Sequence, residues 1–359
     1  MIKKIAILGA GNGGCAFAGY LAIKGFEVNL YENQRFKGNI IPIKIRGGIE
    51  VTGLINGFGK LKKVTTDIRE AVDKVDIIMI VVPGSAQAII ARECAPHLKN
   101  GQTVVINSSS TGAALEFFNI IKEEGKEVIV GETMSLLYAC RKTSLTKVNI
   151  MGIKKEMPVA AFPAKNTKKM VNMLRKLIPN FILAKNVMET SLNNLNAVAH
   201  PAITILNTGW IESDNEFDFY KNGLSKSVKK VMMAVDTERI KIAKVLQVEA
   251  PSDDEWMQKW YGVKTYKEAT KPGGVYSGIK APSSIQVRFI TEDVPYGLVP
   301  ISSIGKEYKI QTPVINSLIK ISSTLMGVDY WEEGRTAEKL GISGMGVKRL
   351  NKYLTEGKL

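Results

Sequence analysis

Near the start of the chain, Ile5-Ala6-Ile7-Leu8 runs directly into Gly9-Ala10-Gly11-Asn12-Gly13-Gly14. A short apolar run is thus followed at once by a cluster of residues lacking Cβ atoms, and Gly9, Gly11 and Gly14 fill the pattern GxGxxG. Such a cluster, placed where a buried strand turns into a helix, permits a tight turn at Gly9 and a close approach of an anionic group to the backbone at Gly11. At Gly14 it lets the helix lie close to the strand, and the helix N-terminus adds partial positive charge. Gly9, Gly11, Asn12, Gly13 and Gly14 are therefore the candidate phosphate-cradling residues.

The following segment, residues 14–25, carries Phe17, Ala18 and Leu21 on one helical face, with Gly25 as its C-terminal stop. A second strand is expected over residues 26–31, ending in Glu32. An acidic residue about 20 positions beyond the glycines is where a dinucleotide's adenosine ribose is held. A carboxylate accepts both ribose hydroxyls and repels a 2′-phosphate, which favours NAD. Arg35 and Lys37 lie just beyond and offer the alternative, NADP.

With 359 residues, 45% of them hydrophobic, the chain has the length and apolar content for two domains. Its longest uninterrupted apolar stretch, residues 77–82, is too short to span a bilayer, and the N-terminal apolar segment breaks at glycine and asparagine before it can act as a signal peptide. A cytoplasmic protein without a membrane partner is expected. Cys15, Cys94 and Cys140 are odd in number and scattered, so reduced packing cysteines are expected and no metal site. The net charge of +15 is spread over lysines around 60–63, 165–169, 226–230 and 241–244. No basic run is interleaved with stacking aromatics, which argues against nucleic acid as a partner. The field suits small anionic ligands.

Beyond Glu32, a hairpin is expected over residues 48–64, with its turn at Asn56-Gly57, then a helix capped by Asp67 and an apolar strand over 76–82. Pro83-Gly84-Ser85 opens a further helix reaching about His97. A strand over 103–107 precedes Ser108-Ser109-Ser110-Thr111 and another helix, and residues 127–132 form the next strand. Alternating strands and helices imply an α/β, Rossmann-type doubly wound parallel sheet, with ligand-facing loops at 9–14, 83–87, 107–111 and 132–141. Pro83 and Ser85 thereby join the cofactor candidates. From about residue 187 the pattern turns helical, over 187–210, 226–248 and 312–326. The expected division is a dinucleotide-binding domain over 1–185 and a mainly α-helical substrate and catalytic domain over 186–359. Ser252-Asp253-Asp254-Glu255 reads as a capping box heading a helix, in preference to a metal site.

The chain has two histidines. His97 falls at a helix end, where an imidazole meets the C-terminal dipole in a structural role. His200 stands in Asn193-Asn194-Leu195-Asn196-Ala197-Val198-Ala199-His200-Pro201, with Asn196 four residues before it on one helical face and Asn193 a turn earlier. Either a hydrogen-bonded core histidine or a functional cluster fits that spacing. Arg288 to Gly297 forms a second polar group, in which Arg288 can grip a carboxylate bidentately and Asp293 can orient an imidazole and stabilise its protonated form. A surface Arg–Asp pair fits the spacing as well.

Three stretches taken together, Gly9-Ala10-Gly11-Asn12-Gly13-Gly14, Asn196-Ala197-Val198-Ala199-His200-Pro201-Ala202-Ile203 followed by Asn207-Thr208-Gly209, and Thr291-Glu292-Asp293-Val294-Pro295-Tyr296-Gly297-Leu298-Val299-Pro300, resemble the NAD/NADP octopine/nopaline (opine) dehydrogenase family over nearly the whole chain. The resemblance implies a Rossmann domain, a helical C-terminal domain, and reductive condensation of an amino acid's amine with an α-keto acid. It implies His200 and Asp293 as the catalytic pair and Arg288 as a substrate-binding residue. Asn196, and Tyr138 and Arg141 from a family-like stretch over 132–141, join Arg288 in that role. Leu137 stands in that stretch where the family carries proline. Two other readings are a ketopantoate- or glycerol-3-phosphate-type reductase, which would use a lysine where this chain offers Asn193, Asn196 and His200, and a nucleotide-sensing protein without turnover. A homodimer is also expected.

Overall fold

The opening apolar run forms strand β1 (Lys4–Leu8), in which Ile5 to Leu8 are wholly shielded from solvent in the computed structural model, which describes residues 2–107, 110–213 and 215–358. Burial on both faces marks a central parallel strand. The other strands are β2 (Glu27–Tyr31), β3 (Gly48–Gly53), β4 (Gly57–Lys60), β5 (Lys63–Thr65), β6 (Ile77–Ile80), β7 (Thr103–Ile106), β8 (Ile129–Thr133), β9 (Tyr138–Ser144), β10 (Lys147–Ile153), β11 (Met157–Phe162) and β12 (Phe181–Leu183). Eight of them form one sheet in the order β12-β11-β8-β7-β6-β1-β2-β5. Its pairings are parallel except where β11 runs antiparallel to β8. The chain builds outward from β1 through β2 and β5, then returns to β1's other edge with β6. That reversal makes the carboxyl end of β1, where the glycine cluster lies, the sheet's switch point.

The helices Asn12–Ile23, Ile68–Val72, Gly84–Cys94 and Ala113–Ile121 alternate with these strands. Asp67 caps the second of them by accepting from the amides of Arg69 and Glu70. Ser108 and Ser109, in the loop expected to face a ligand after β7, lie outside the described residues. The expected hairpin is β3 and β4, but it belongs to a separate four-stranded sheet, ordered β4-β3-β10-β9. The β9–β10 half carried little signal, because Arg141, Lys142, Lys147 and Asn149 break the alternation and its register shifts twice.

The chain divides into two compact units, one of Met1–Ser109, Ala113–Thr190 and Tyr353–Lys358, the other mainly Ser191–Lys352. In the first unit Tyr353 packs its ring 4.9 Å from that of Phe162. The second unit is helical. Its longest helix, Lys226–Leu246, is capped by Ser225, whose side chain accepts from the Val228 amide. This helix buries charge: Arg239 pairs with Asp236 at 2.7 Å and donates to the Leu192 and Pro251 carbonyls. Glu238 accepts from the amides of Val314 and Ile315 and so caps the helix Pro313–Met326. The Ser252–Glu255 capping box forms with both reciprocal bonds.

The helix expected over 187–210 is instead three pieces, Val187–Leu192, Asn196–Leu206 and Thr208–Ile211. Asn193 therefore does not share His200's helical face. It sits in the break, where its amide donates to the Glu249 carbonyl at 2.6 Å, while Asn194 accepts from the Asn196 amide. Asparagine side chains compete for backbone groups in this way and interrupt a helix.

Candidate active site

At the carboxyl end of β1 the glycines divide into two kinds. Gly9 has φ +112°, and a Cβ there would overlap the Val81 carbonyl; one on Gly14 would overlap the Gly9 carbonyl. A Cβ on Gly13 would press on Leu136 and Val81. A Cβ on Gly11 would meet nothing within 4 Å, so an open face of the turn stands at the N-terminus of the helix Asn12–Ile23. A bulky anion can approach the backbone there, which is the fit a pyrophosphate requires. Glu32 follows β2, and its carboxylate accepts from the Ala10 amide at 3.1 Å and from the Asn33 amide at 3.0 Å. These bonds fix the carboxylate on the glycine loop and leave lone pairs for two hydroxyls. Arg35 is exposed, its guanidinium 5.8 Å from the centre of the Phe36 ring. Pro83 caps the helix Gly84–Cys94, and Ser85 lies exposed in its first turn.

Lys142 of β9 was not anticipated. Its ammonium donates to the Ala10 carbonyl at 3.3 Å, and its amide donates to Asn12 Oδ1 at 2.8 Å. Asn12 thus ties β9 to the loop, and a cation stands beside the phosphate cradle. No sequence signal could have paired residues 130 apart. Cys15 is a packing residue: its thiol donates to the Ala10 carbonyl, and burial raises its pKa to about 11.

Two members of the 132–141 stretch, Tyr138 and Arg141, stand in different surroundings. Tyr138 is buried in the first unit's core, its ring 4.7 Å from that of Phe17, and its hydroxyl has no hydrogen-bond partner. At the start of β9 its side chain turns inward against the helix Asn12–Ile23. Arg141 is exposed on β9, an edge strand of the small sheet. Leu137 is buried, and Lys154 closes its loop by donating from its backbone to Leu137 and from its ammonium to Leu136. Burial lowers the Lys154 pKa to about 8.

In the second unit His200 and Asp293, 93 residues apart, meet at 2.7 Å between Nδ1 and a carboxylate oxygen. Their side chains are 13% and 14% exposed. His200 lies in the helix Asn196–Leu206, just before Pro201, and Asn196 is exposed one turn earlier. Asp293 sits between the short helix Arg288–Thr291 and a π-helical turn over Val294–Leu298, a wound segment of the kind that often aims a functional side chain. Pro300 lacks an amide that a regular helix would aim at Tyr296, and the Tyr296 carbonyl instead accepts from Thr111. Burial raises the pKa of Asp293, and its interaction with His200 opposes that shift. The other imidazole nitrogen, Nε2, lies 2.9 Å from the Tyr220 hydroxyl, and Phe289 covers one ring face with centroids 4.2 Å apart. Arg288 binds Glu292 through Nε rather than Asp293, with its side chain 65% exposed. Tyr220 escaped the sequence reading, since it falls in an irregular segment without periodicity, and Phe289 and Glu292 were given no role within the 288–297 group. Among the described residues no cluster of three potential metal ligands occurs.

The family profile of the NAD/NADP octopine/nopaline dehydrogenase alpha-helical domain matches residues 183–326, and that of the NAD-dependent glycerol-3-phosphate dehydrogenase N-terminus matches residues 4–134. The opine dehydrogenase of Arthrobacter sp. (strain 1C) is 40% identical over 349 residues, covering 96% of each chain. A solved octopine dehydrogenase in complex with NADH and agmatine superposes with a TM-score of 0.80 at 19% identity, covering 99% of this chain and 98% of that one. An NADP+-bound yersinopine dehydrogenase does so with a TM-score of 0.74 at 15% identity, over 99% and 98%.

Proposed function

The chain belongs to the NAD/NADP octopine/nopaline dehydrogenase family, and from that membership we propose how its own residues carry out the reductive condensation of an amino acid with an α-keto acid. In that reaction the amine attacks the keto carbon, the oxygen leaves as water after taking up protons, and the resulting imine carbon receives a hydride, giving a secondary amine. When bound, the reduced nicotinamide supplies that hydride. His200 moves the proton at the former carbonyl oxygen. Asp293, an acceptor, holds the proton of the neutral ring on Nδ1, so Nε2 is the nitrogen that exchanges with substrate. Arg288 binds a substrate carboxylate through its outward fork, while Glu292 holds its inner nitrogen. Asn196, exposed one turn from His200, and Arg141 on its open strand are further substrate contacts.

The glycine loop, with Gly11 open and Lys142 alongside, holds the pyrophosphate, and the loop-bound Glu32 takes the ribose hydroxyls. Pro83 and Ser85 complete the cofactor's surroundings, and Arg35 is the residue that an NADP preference would recruit. The carboxylate at Glu32 supports NAD over NADP. We assign residues 1–185 to cofactor binding and 186–359 to substrate and catalysis. The three free cysteines support a cytoplasmic location, and no described helix is long and apolar enough to cross a membrane. We also propose a homodimer, supported by Ile321 and Leu325 exposed on the helix Pro313–Met326 and measurable by light scattering of the eluted protein.

The observation that carries this reading is the His200–Asp293 pair. Its test is NADH oxidation by wild type and His200→Ala across a panel of amino acids crossed with a panel of keto acids. Oxidation that requires one of each and disappears in His200→Ala is expected. Oxidation by a keto acid alone, or equal rates in the variant, would overturn it.

A further inference from the structure

We propose that Tyr220 is a positioning residue for the His200 imidazole, donating its hydroxyl to Nε2 and holding the ring oriented until a substrate oxygen takes that nitrogen. The inference rests on the reading of His200 as the proton-moving group.

The direction of the bond follows from the partners. A carboxylate accepts only, so Asp293 requires the hydrogen of a neutral imidazole on Nδ1. Nε2 then offers a lone pair, and Tyr220, 2.9 Å away, is the donor. Burial raises the Tyr220 pKa, with Tyr261, Asp293 and Asp253 adding to the effect, so the phenol keeps its proton. Among the described residues His200 is the hydrogen-bond partner of that hydroxyl. The charged groups of the helix Arg288–Thr291 and its C-terminal turn, Arg288 and Glu292, pair with each other, which leaves Asp293 and Tyr220 as the groups bonded to the ring.

The donor is held as firmly as the acceptor. The Tyr220 ring stacks on Tyr276 at 4.2 Å and 18°, lies 6.1 Å from Tyr266 at 22°, and meets the edge of Phe219 at 5.0 Å. Tyr266 is itself anchored, its hydroxyl donating to Asp253 at 3.0 Å. The imidazole lies between Phe289 and these two polar partners. A phenol suits this place because a hydroxyl both donates and accepts. It gives its hydrogen to the neutral ring, and by rotating about its C–O bond it receives one from the imidazolium. Before substrate takes Nε2, the ring is therefore held in the same orientation in either protonation state.

The test uses Tyr220→Phe, which keeps the stacked ring and removes the hydroxyl. In a His97→Gln background His200 is the one remaining histidine, so selective ¹⁵N labelling reports its two nitrogens alone. The expected result is an Nε2 resonance moved toward the value of an unbonded lone pair, with Nδ1 unchanged. Turnover falls about tenfold, the scale of one neutral hydrogen bond, while NADH affinity and melting temperature stay at wild-type values. The pH profile of kcat/KM shifts in the limb set by His200. An unchanged Nε2 resonance, or wild-type kcat and pH profile in Tyr220→Phe, would overturn the proposal and leave Tyr220 a stacking residue. The NMR measurement needs no substrate, so the hydroxyl's bond to Nε2 is decided even if no amine and keto acid pair is turned over. Retained turnover in His200→Ala would remove the catalytic premise and the proposal with it.

Discussion

At the scale of the residue, the chemistry assigned to His200 depends on a partner that no local pattern supplies. If Asp293 acts through His200, the two form a unit: His200→Ala and Asp293→Ala should each lower kcat by about 10²–10⁴, and the double variant should be little worse than the poorer single one. Additive losses in steady-state kinetics would show that they work separately. Arg288 makes a different prediction. Its Nε is occupied by Glu292 and its side chain is largely exposed, so if its terminal fork binds a substrate carboxylate, Arg288→Lys should raise the KM of one substrate about tenfold or more and leave NADH affinity alone. An unchanged KM for both substrates would reduce Arg288 to a surface ion pair with Glu292.

At the scale of the element, the helix Asp253–Tyr261 carries an unusual first residue. Asp253 belongs to the capping segment read from sequence, but it is buried and its pKa is raised to about 6 from 3.8. Burial is the main cause. Asp236 and Asp254 add to it, while Tyr266 and Lys229 oppose it. A carboxyl whose folded pKa lies above its unfolded value binds its proton more tightly in the folded state. Its contribution to stability is therefore fully present below about pH 4 and lost as pH rises through about 6. The loss amounts to at most about 3 kcal/mol. Urea unfolding of wild type and Asp253→Asn across pH 4 to 7 should show this decline in wild type and a flatter course in the variant. Parallel pH courses would show that Asp253 titrates alike in both states. The same helical unit shows why buried charge is tolerated here, since Asp236, Arg239 and Glu238 all spend their hydrogen bonds on neighbouring backbone or on one another.

At the scale of the whole molecule, cofactor binding couples to stability. A ligand that binds only the folded chain at 100 times its Kd adds about 2.7 kcal/mol, so NADH should raise the melting temperature. If Glu32 takes the ribose hydroxyls as proposed, NADPH at equal concentration should do less, with affinities differing by about tenfold or more. Gly11→Val should lose the thermal shift while melting like wild type without ligand, since nothing lies within 4 Å of the added Cβ. Gly14→Val, which would drive a side chain into the Gly9 carbonyl, should lower the unliganded melting temperature itself.

What the sequence determined by itself is what neighbouring residues decide among themselves. The strand, glycine turn and helix at residues 4–23, the Asp67 cap and the Ser252–Glu255 box are all announced by patterns within a few positions, and all form. The polar segments around His200 and Asp293 were also visible, and resemblance to a family paired them. Tertiary structure alone decided the rest. It set Lys142 beside Ala10. It gathered β9 and β10 with β3 and β4 into a second sheet, broke the helix at Asn193, and turned Tyr138 into the core. It also gave Nε2 of His200 to Tyr220. Each of these depends on a contact between segments distant in the chain, and such a contact is set by which faces the packed elements bury, a quantity that residue spacing along one segment does not contain.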